Sequence, residues 1–233
     1  MKAMILAAGR GERMQALSTA TPKPLLKIRG HCLIEHRIFA LKKAGIHHII
    51  INLFYLGKHI ADYLGDGSRY GVTITYSWEQ EKLDVGGGII HALPLLGNKP
   101  FLLTSADIDT DFPYETLTRP VSSLVHLVLT DNPHHHPEGD FYLHNNLLSF
   151  EDPGHKLTYM NIALFDPALF ASFTPGKRRF LDCLKSAINQ HQVSAEYYEG
   201  YWLNVDTPAR LELANTKEIT GPRLCEGDGP RKE

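Results

Sequence analysis

Met4-Ile5-Leu6-Ala7-Ala8-Gly9-Arg10-Gly11-Glu12-Arg13 is the stretch on which the reading of the fold turns. Met4 to Ala8 is a short apolar run cut off by glycine, the composition of a buried parallel strand. Residues 32–44 then place Ile34, Ile38 and Leu41 at helical spacing. Lys42 and Lys43 stand near the end of that stretch and Gly45 just beyond it, the usual stop signals of a helix. His48 to Leu53 is β-branched and apolar, a second strand. Gly57 to Leu64 reads as a helix ending at Gly65, and Val72 to Tyr76 as a third strand. Gly88 to Leu93 opens another helix, and Phe101 to Thr104 is a fourth strand that ends in acids.

This alternation predicts an α/β protein with a Rossmann-like, mostly parallel sheet flanked by helices. Such sheets bind ligands beyond the carboxyl ends of their strands. The glycine loop after the first strand and the acids after the fourth fall at that edge. The second half departs from the pattern. Ser123 to Thr130 and Leu157 to Phe165 read as strands, Asp140 to Phe150 as a polar hairpin around Asn145-Asn146, and Phe180 to Gln190 and Thr207 to Asn215 as helices. A small lobe inserted in the second half is therefore expected. One domain is expected over 1–219, with a frayed tail at 220–233 that is rich in Gly, Pro and charge.

With 233 residues, 43% of them apolar, the chain can build a sizeable core and is too hydrophobic for a disordered protein. The net charge of −2 comes from acids and bases mixed along the chain, with no basic face for nucleic acid. A phosphate ligand would need a local basic site. Cys32, Cys183 and Cys225 lie far apart and read as reduced thiols of a cytoplasmic protein. The apolar start is only about half of a signal-peptide core, and no window approaches the roughly 20 apolar residues of a membrane span.

The small residues Ala7, Ala8, Gly9 and Gly11 let backbone N–H groups approach a ligand, and a turn of such groups forms an anion-binding concavity. Arg13 and Lys23 add charge where phosphates would lie, with Pro22 and Pro24 stiffening the chain around Lys23. A glycine loop alone is equally compatible with an ordinary strand-to-helix connection. The three histidines His134, His135 and His136 read as a solvent loop, because adjacent residues rarely converge on one ion.

The run Leu6 to Arg13 together with Pro22-Lys23-Pro24 resembles the signature of sugar-1-phosphate nucleotidyltransferases. The likeness continues in Leu64-Gly65-Asp66-Gly67-Ser68-Arg69-Tyr70-Gly71-Val72 and in Glu81-Lys82-Leu83-Asp84-Val85-Gly86-Gly87-Gly88, which resembles the segment reading base and ribose. It returns in Tyr201-Trp202-Leu203-Asn204-Val205-Asp206-Thr207-Pro208. Within the family, Ala92 to Gly97 and Asp131 to His135 are most similar to the branch that joins UTP to N-acetylmuramate 1-phosphate in bacterial cell-wall recycling. Two departures stand out. Ala16 replaces a common proline, and Phe150-Glu151-Asp152-Pro153 lacks the Lys of a Glu-Lys-Pro sugar-phosphate segment.

The resemblance implies a nucleoside triphosphate and a sugar 1-phosphate as partners, Mg²⁺ as cofactor, and a nucleotide sugar and pyrophosphate as products. It implies Arg13 and Lys23 as catalytic residues. It places the nucleotide on Leu6, Ala7, Ala8, Gly9, Gly11, Glu81, Gly86 and Gly87, and the sugar on Asp84; Thr158 and Asn161, on a strand of the second-half lobe, are expected to face the sugar as well. It implies metal ligation by Asp107 and Asn204, with Asp206 the alternative to Asn204, and leaves Asp109 open. A guanylyltransferase or other hexose-1-phosphate enzyme, a CTP-dependent enzyme charging phosphocholine and a catalytically silent nucleotide-sugar sensor are the rival readings. Monomer and dimer both stay open.

Overall fold

The computed structural model describes residues 1–119, 122–151 and 154–217; the expected tail at 220–233, Cys225 and the Asp152-Pro153 part of the departure noted above lie outside them. The strands and helices in chain order are β1 (Lys2–Leu6), α1 (Leu17–Ala20), β2 (Lys27–Ile28), β3 (His31–Cys32), α2 (Leu33–Lys43), β4 (His48–Leu53), α3 (Gly57–Leu64), β5 (Thr73–Trp78) and α4 (Asp84–Leu96). They continue as β6 (Phe101–Ser105), β7 (Ile108–Thr110), β8 (Val125–Thr130), β9 (Tyr142–His144), β10 (Leu147–Ser149), β11 (Thr158–Phe165), α5 (Phe180–Asn189), β12 (Val193–Tyr197), β13 (Trp202–Asn204) and α6 (Pro208–Thr216).

Nine strands form one sheet in the order β5-β4-β1-β6-β11-β8-β12-β10-β9. The pairs β5·β4, β4·β1, β1·β6 and β8·β12 are parallel. β11 runs against both its neighbours, and β10 against both of its own. All strands but β11 and β10 therefore point the same way, and the sheet is mostly parallel. The lobe expected for the second half is built onto this same sheet, with the β9–β10 hairpin extending its edge.

The apolar strands are unbroken because helices cover both faces. Ala3 and Ile5 of β1 pack with Ile34, Ile38 and Leu41 of α2 and with Ile60 and Leu64 of α3. Met4 points the other way, into a cluster with Ile89 and Ile90 of α4 and Leu184, Ala187 and Ile188 of α5. All three β1 residues are fully buried. A strand buried on both faces shows no alternation, which is the pattern of its sequence.

Helix α4 begins at Asp84, four residues before the expected start at Gly88, so three glycines of poor helix propensity sit in its first turns. Tertiary packing overrides propensity there, as shown below. β7 and β13, which pair antiparallel, are each three residues long and carry too little pattern to be read from the sequence. They set Leu203 opposite Asp109 and Asn204 opposite Ile108.

Candidate active site

A cavity of about 470 Å³ opens at the carboxyl edge of the parallel strands. Its floor is the loop from Leu6 to Gly9 after β1 and Ser105, Ala106 and Asp107 after β6. One wall carries Asn52 from β4, Glu79 from just beyond β5, and Lys82, Asp84 and Val85 leading into α4. The opposite side carries Asn161 of β11 with Arg179 and Phe180 at the start of α5. Lys23 and Pro24 close the remaining side. The size is ordinary for a small-molecule site.

Lys23 forms an ion pair with Asp107 Oδ2, and both side chains are mostly buried. Ser105 Oγ donates to Asp107 Oδ1 at 2.5 Å. Burial pushes the Asp107 carboxyl up, but the Lys23 ammonium and the Ser105 hydroxyl outweigh it and hold the group below the usual carboxylate range. Gly11 makes room for this pair. Its φ is +64°, and a Cβ there would stand 3.1 Å from Lys23 Cβ. The Gly11 carbonyl accepts the Ser18 hydroxyl at 2.8 Å, which ties the loop down.

A second polar chain lines the opposite wall. The Ala7 N–H donates to Asn52 Oδ1 at 2.9 Å, and Asn52 Nδ2 donates to Glu79 Oε1 at 2.7 Å. Burial raises the Glu79 pKa against the lowering effect of the Asn52 and Leu83 N–H groups. Gly88 lets α4 lie against this pair: a Cβ at that position would stand 2.7 Å from Glu79 Oε1 and 3.0 Å from Asn52 Nδ2.

The β7–β13 ribbon brings the late acidic segment beside Asp107, with the Val205 N–H donating to the Asp107 carbonyl at 2.8 Å. Asn204 Oδ1 is buried there without a hydrogen-bond partner among the described residues. Asn204 is not among the residues that line the cavity, but its orphaned amide oxygen, next in the chain to the residue bonded to the Asp107 backbone, and the Asp107 carboxylate are the kind of donors that suit Mg²⁺, a hard cation that takes oxygen ligands and keeps several waters. Asp206 is ion-paired: Arg13 Nη1 stands 2.5 Å from its Oδ2, which is buried and, like Asn204 Oδ1, accepts no hydrogen bond among the described residues, and Arg210 pairs with its Oδ1. Asp109, 1% exposed, is held by Arg29 through two bonds of 2.9 and 2.7 Å and by the Tyr201 hydroxyl at 3.0 Å.

Of the residues expected at a site, Leu6, Ala7, Ala8, Gly9, Lys23, Asp84, Asp107 and Asn161 line the cavity. Asn161 does so because β11 shifts register between Tyr159 and Ala163, and Asn161 takes a φ of +59° that asparagine tolerates. Ala7 is set differently from expectation, since its N–H is taken by Asn52. Several expected residues stand elsewhere. Glu81 is exposed in the loop after β5, and the acid on the wall is Glu79, which continues the strand with its N–H on the Leu53 carbonyl. Thr158 is buried off the cavity, its hydroxyl donating to Asn132 Oδ1 at 2.8 Å.

Gly86 and Gly87 also face protein. A Cβ on Gly86 would meet Cys183 Sγ at 2.7 Å, and one on Gly87 would meet the Gly176 carbonyl. Their close approach is to the first turn of α5 and the segment leading into it. Arg13 is turned away from the cavity onto Asp206, and Gly11 shapes the loop without lining the space. His134 and His135 are exposed, and His136 contacts Asp140 at 3.1 Å.

Asn52, Glu79, Ser105, Arg179 and Phe180 line the cavity from outside the sequence motifs, while Lys82 and Val85 belong to the segment 81–88. A polar residue closing an apolar strand at the ligand edge was the available signal for Asn52 and Ser105. No local signal marks Arg179.

A Rossmann-like sheet with a lysine and a carboxylate paired over its carboxyl edge is the build of an enzyme that works on phosphates. The chain belongs to the nucleotidyl transferase family, whose family model matches residues 2–141. It is 43% identical over 223 residues to an N-acetylmuramate alpha-1-phosphate uridylyltransferase of Neisseria meningitidis serogroup B, covering 92% of this chain and 96% of that protein. A Caulobacter vibrioides protein of the same name is 29% identical over 222 residues, covering 88% and 92%. In fold the chain is similar to a Bacillus anthracis protein crystallised with sucrose and titled a glucose-1-phosphate thymidylyltransferase. The TM-score is 0.82 at 20% identity, with 92% of this chain and 94% of that one covered. No helix among the described residues is long and apolar enough to cross a membrane.

Proposed function

We propose that the chain transfers the uridylyl group of UTP to N-acetylmuramate 1-phosphate, giving the UDP-sugar and pyrophosphate. The observation that carries the substrate is the likeness to the Neisseria relative along almost the full length of both chains. The paired Lys23 and Asp107 at the cavity support the chemistry.

A sugar-phosphate oxygen attacks the α-phosphorus of UTP in line, the bond to the β-phosphate oxygen breaks, and pyrophosphate departs. The attacking phosphate is already anionic, so no general base is required, and catalysis rests on alignment and charge stabilisation. Lys23 sits where its ammonium offsets charge on the α-phosphate, and Asn52 and Glu79 offer polar contacts to base or ribose. Arg13, exposed and on a loop beside the site, is free to exchange Asp206 for the leaving pyrophosphate. Asp107 and Asn204 are the residues that would hold Mg²⁺, which when bound offsets the charge that builds up on the phosphates. The free, buried Cys32 and Cys183 support a reducing compartment, the cytoplasm. The domain reading is one catalytic unit over 1–219. In this role the product feeds recycling of cell-wall sugar.

The test is pyrophosphate release with Mg²⁺ from UTP, GTP, CTP and dTTP, each paired with N-acetylmuramate, mannose and glucose 1-phosphates. Turnover confined to UTP and the muramate is the expected result. Turnover with another pair keeps the chemistry and discards this substrate. Release from no pair removes the enzymatic reading of these sugars.

A further inference from the structure

We infer that Arg179 is the residue that selects for a carboxylate on the acceptor sugar. The inference rests on the substrate proposed above. N-Acetylmuramate 1-phosphate differs from N-acetylglucosamine 1-phosphate by a lactyl ether on O3. That group carries a second negative charge, well away from the phosphate. A cation apart from those that serve the phosphates is a direct way to select for it.

Three cations line the cavity: Lys23, Lys82 and Arg179. Lys23 is paired with Asp107 over the end of β6. Lys82 stands on the β5–α4 loop, three residues beyond Glu79, on the wall that starts from β4 and β5. Arg179 lines the cavity with Phe180 and with Asn161 of β11. Arg179 bridges the two sides, its carbonyl against Gly86 of α4 and the neighbouring Phe180 stacked on Tyr159 of β11, the strand next to β6; we assign the space beside β11 to the acceptor.

The backbone beneath Arg179 is fixed. The Arg178 N–H donates to the Leu83 carbonyl at 2.9 Å, and the Gly87 N–H donates to the Arg178 carbonyl at 3.1 Å. Phe180 stacks on Tyr159 with ring centroids 5.1 Å apart. The side chain is steered but not consumed. Its Nε donates to Asp182 Oδ2 at 3.3 Å, and among the described residues neither terminal nitrogen has a partner. A planar fork with two free N–H₂ groups matches a carboxylate in bidentate fashion. Phe180 offers apolar surface to the lactyl methyl.

The test compares wild type, Arg179→Gln and Arg179→Lys in two readouts. One is kcat/KM with UTP and either N-acetylmuramate or N-acetylglucosamine 1-phosphate. The other is calorimetric Kd for UDP-N-acetylmuramate and UDP-N-acetylglucosamine, which needs no turnover. In Arg179→Gln we expect a loss of about tenfold for both muramate ligands, carried by KM and Kd, with the glucosamine ligands unaffected. Arg179→Lys, with charge but no fork, falls between. An equal loss on both sugars makes Arg179 a phosphate contact and overturns the inference, as does no change on either. A wild type with no preference for the muramate pair in either readout removes the substrate reading itself, and the inference with it.

Discussion

Arg29 grips Asp109 with two parallel bonds, Nη1 to Oδ2 at 2.9 Å and Nη2 to Oδ1 at 2.7 Å. The same guanidinium reaches the Ala214 carbonyl, and the Arg29 N–H donates to Asn215 Oδ1 at 2.9 Å. One residue thus ties α6 to β7, the strand that follows Asp107. Replacing Arg29 by Ala leaves a buried carboxylate without its cation, at a cost of about 3 kcal/mol. The expected drop in melting temperature is roughly 10 °C. A melt within a degree or two of wild type would show that the pair holds nothing together.

Lys23→Ala removes the cation facing Asp107. Turnover should fall about a hundred- to thousandfold, by analogy with loss of one preorganised donor. Mn²⁺ binding followed by calorimetry should be retained or tightened, because Asp107 loses its competing partner. Near-normal turnover would exclude Lys23 from the chemistry.

Asn204→Ala deletes an oxygen that has no partner within the protein. The fold should therefore tolerate it, with a melting temperature at or above that of wild type. The Mg²⁺ concentration for half-maximal rate should rise about tenfold. Asp206→Asn should behave in the opposite manner, loosening Arg13 and Arg210 and lowering stability without moving the Mg²⁺ requirement. If Asp206→Asn alone shifts that requirement, the two residues exchange roles.

The run Gly86-Gly87-Gly88 separates two kinds of damage. Gly87→Ala drives a methyl into backbone at Gly176 and should destabilise by about 3 kcal/mol, the range of a serious steric clash. Gly88→Ala pushes instead on the side chains of Glu79 and Asn52, which can move. It should weaken UTP binding more than it lowers the melting temperature. Equal thermal losses in both variants would contradict this division.

His36 supplies the pH dependence. Burial holds its imidazole neutral and brings its pKa down to about 4 from the ordinary 6.5, despite the hydrogen bond to the Ile28 carbonyl. Between those values the unfolded chain binds a proton that the folded chain does not. Stability therefore falls as pH drops from 6.5 toward 4, by up to about 1.4 kcal/mol per pH unit. Denaturant titrations of His36→Gln should show a flatter slope across that window, and an unchanged slope would mean that another group titrates there.

The first half of the fold was legible because each strand and helix carries its own pattern. Met4 and Ile5 announce a strand buried on both faces, and Lys42-Lys43 with Gly45 mark where α2 stops. The site was legible where a motif is local. Gly9, Lys23 and Asp107 each follow a recognisable element. It was not legible where assembly is non-local. The sequence does not mark Glu79 as the acid of the polar wall, because nothing in a single strand says how far its backbone keeps its direction. The small size of Gly86 and Gly87 is visible in sequence, while the neighbours they admit, Cys183 and Gly176, come from about ninety residues later. Arg179 enters the cavity by that same packing. Asn161 reached it through a bulge that strict alternation hides.

The β7–β13 ribbon has a consequence for how the enzyme is made. Tyr201 and Asp109, which it joins, are 92 residues apart in the chain. A ribosome delivers β1, β4, β5 and β6 early, so the strands bearing the loop after Leu6, Asn52 and Asp107 can pair while synthesis continues. Asn204 reaches Asp107 only after β12 has emerged and the ribbon has closed. A nascent chain stalled between these events carries most of the cavity and only half of the pair proposed to hold the cation, so on that proposal competence for reaction arrives last, with the final strand.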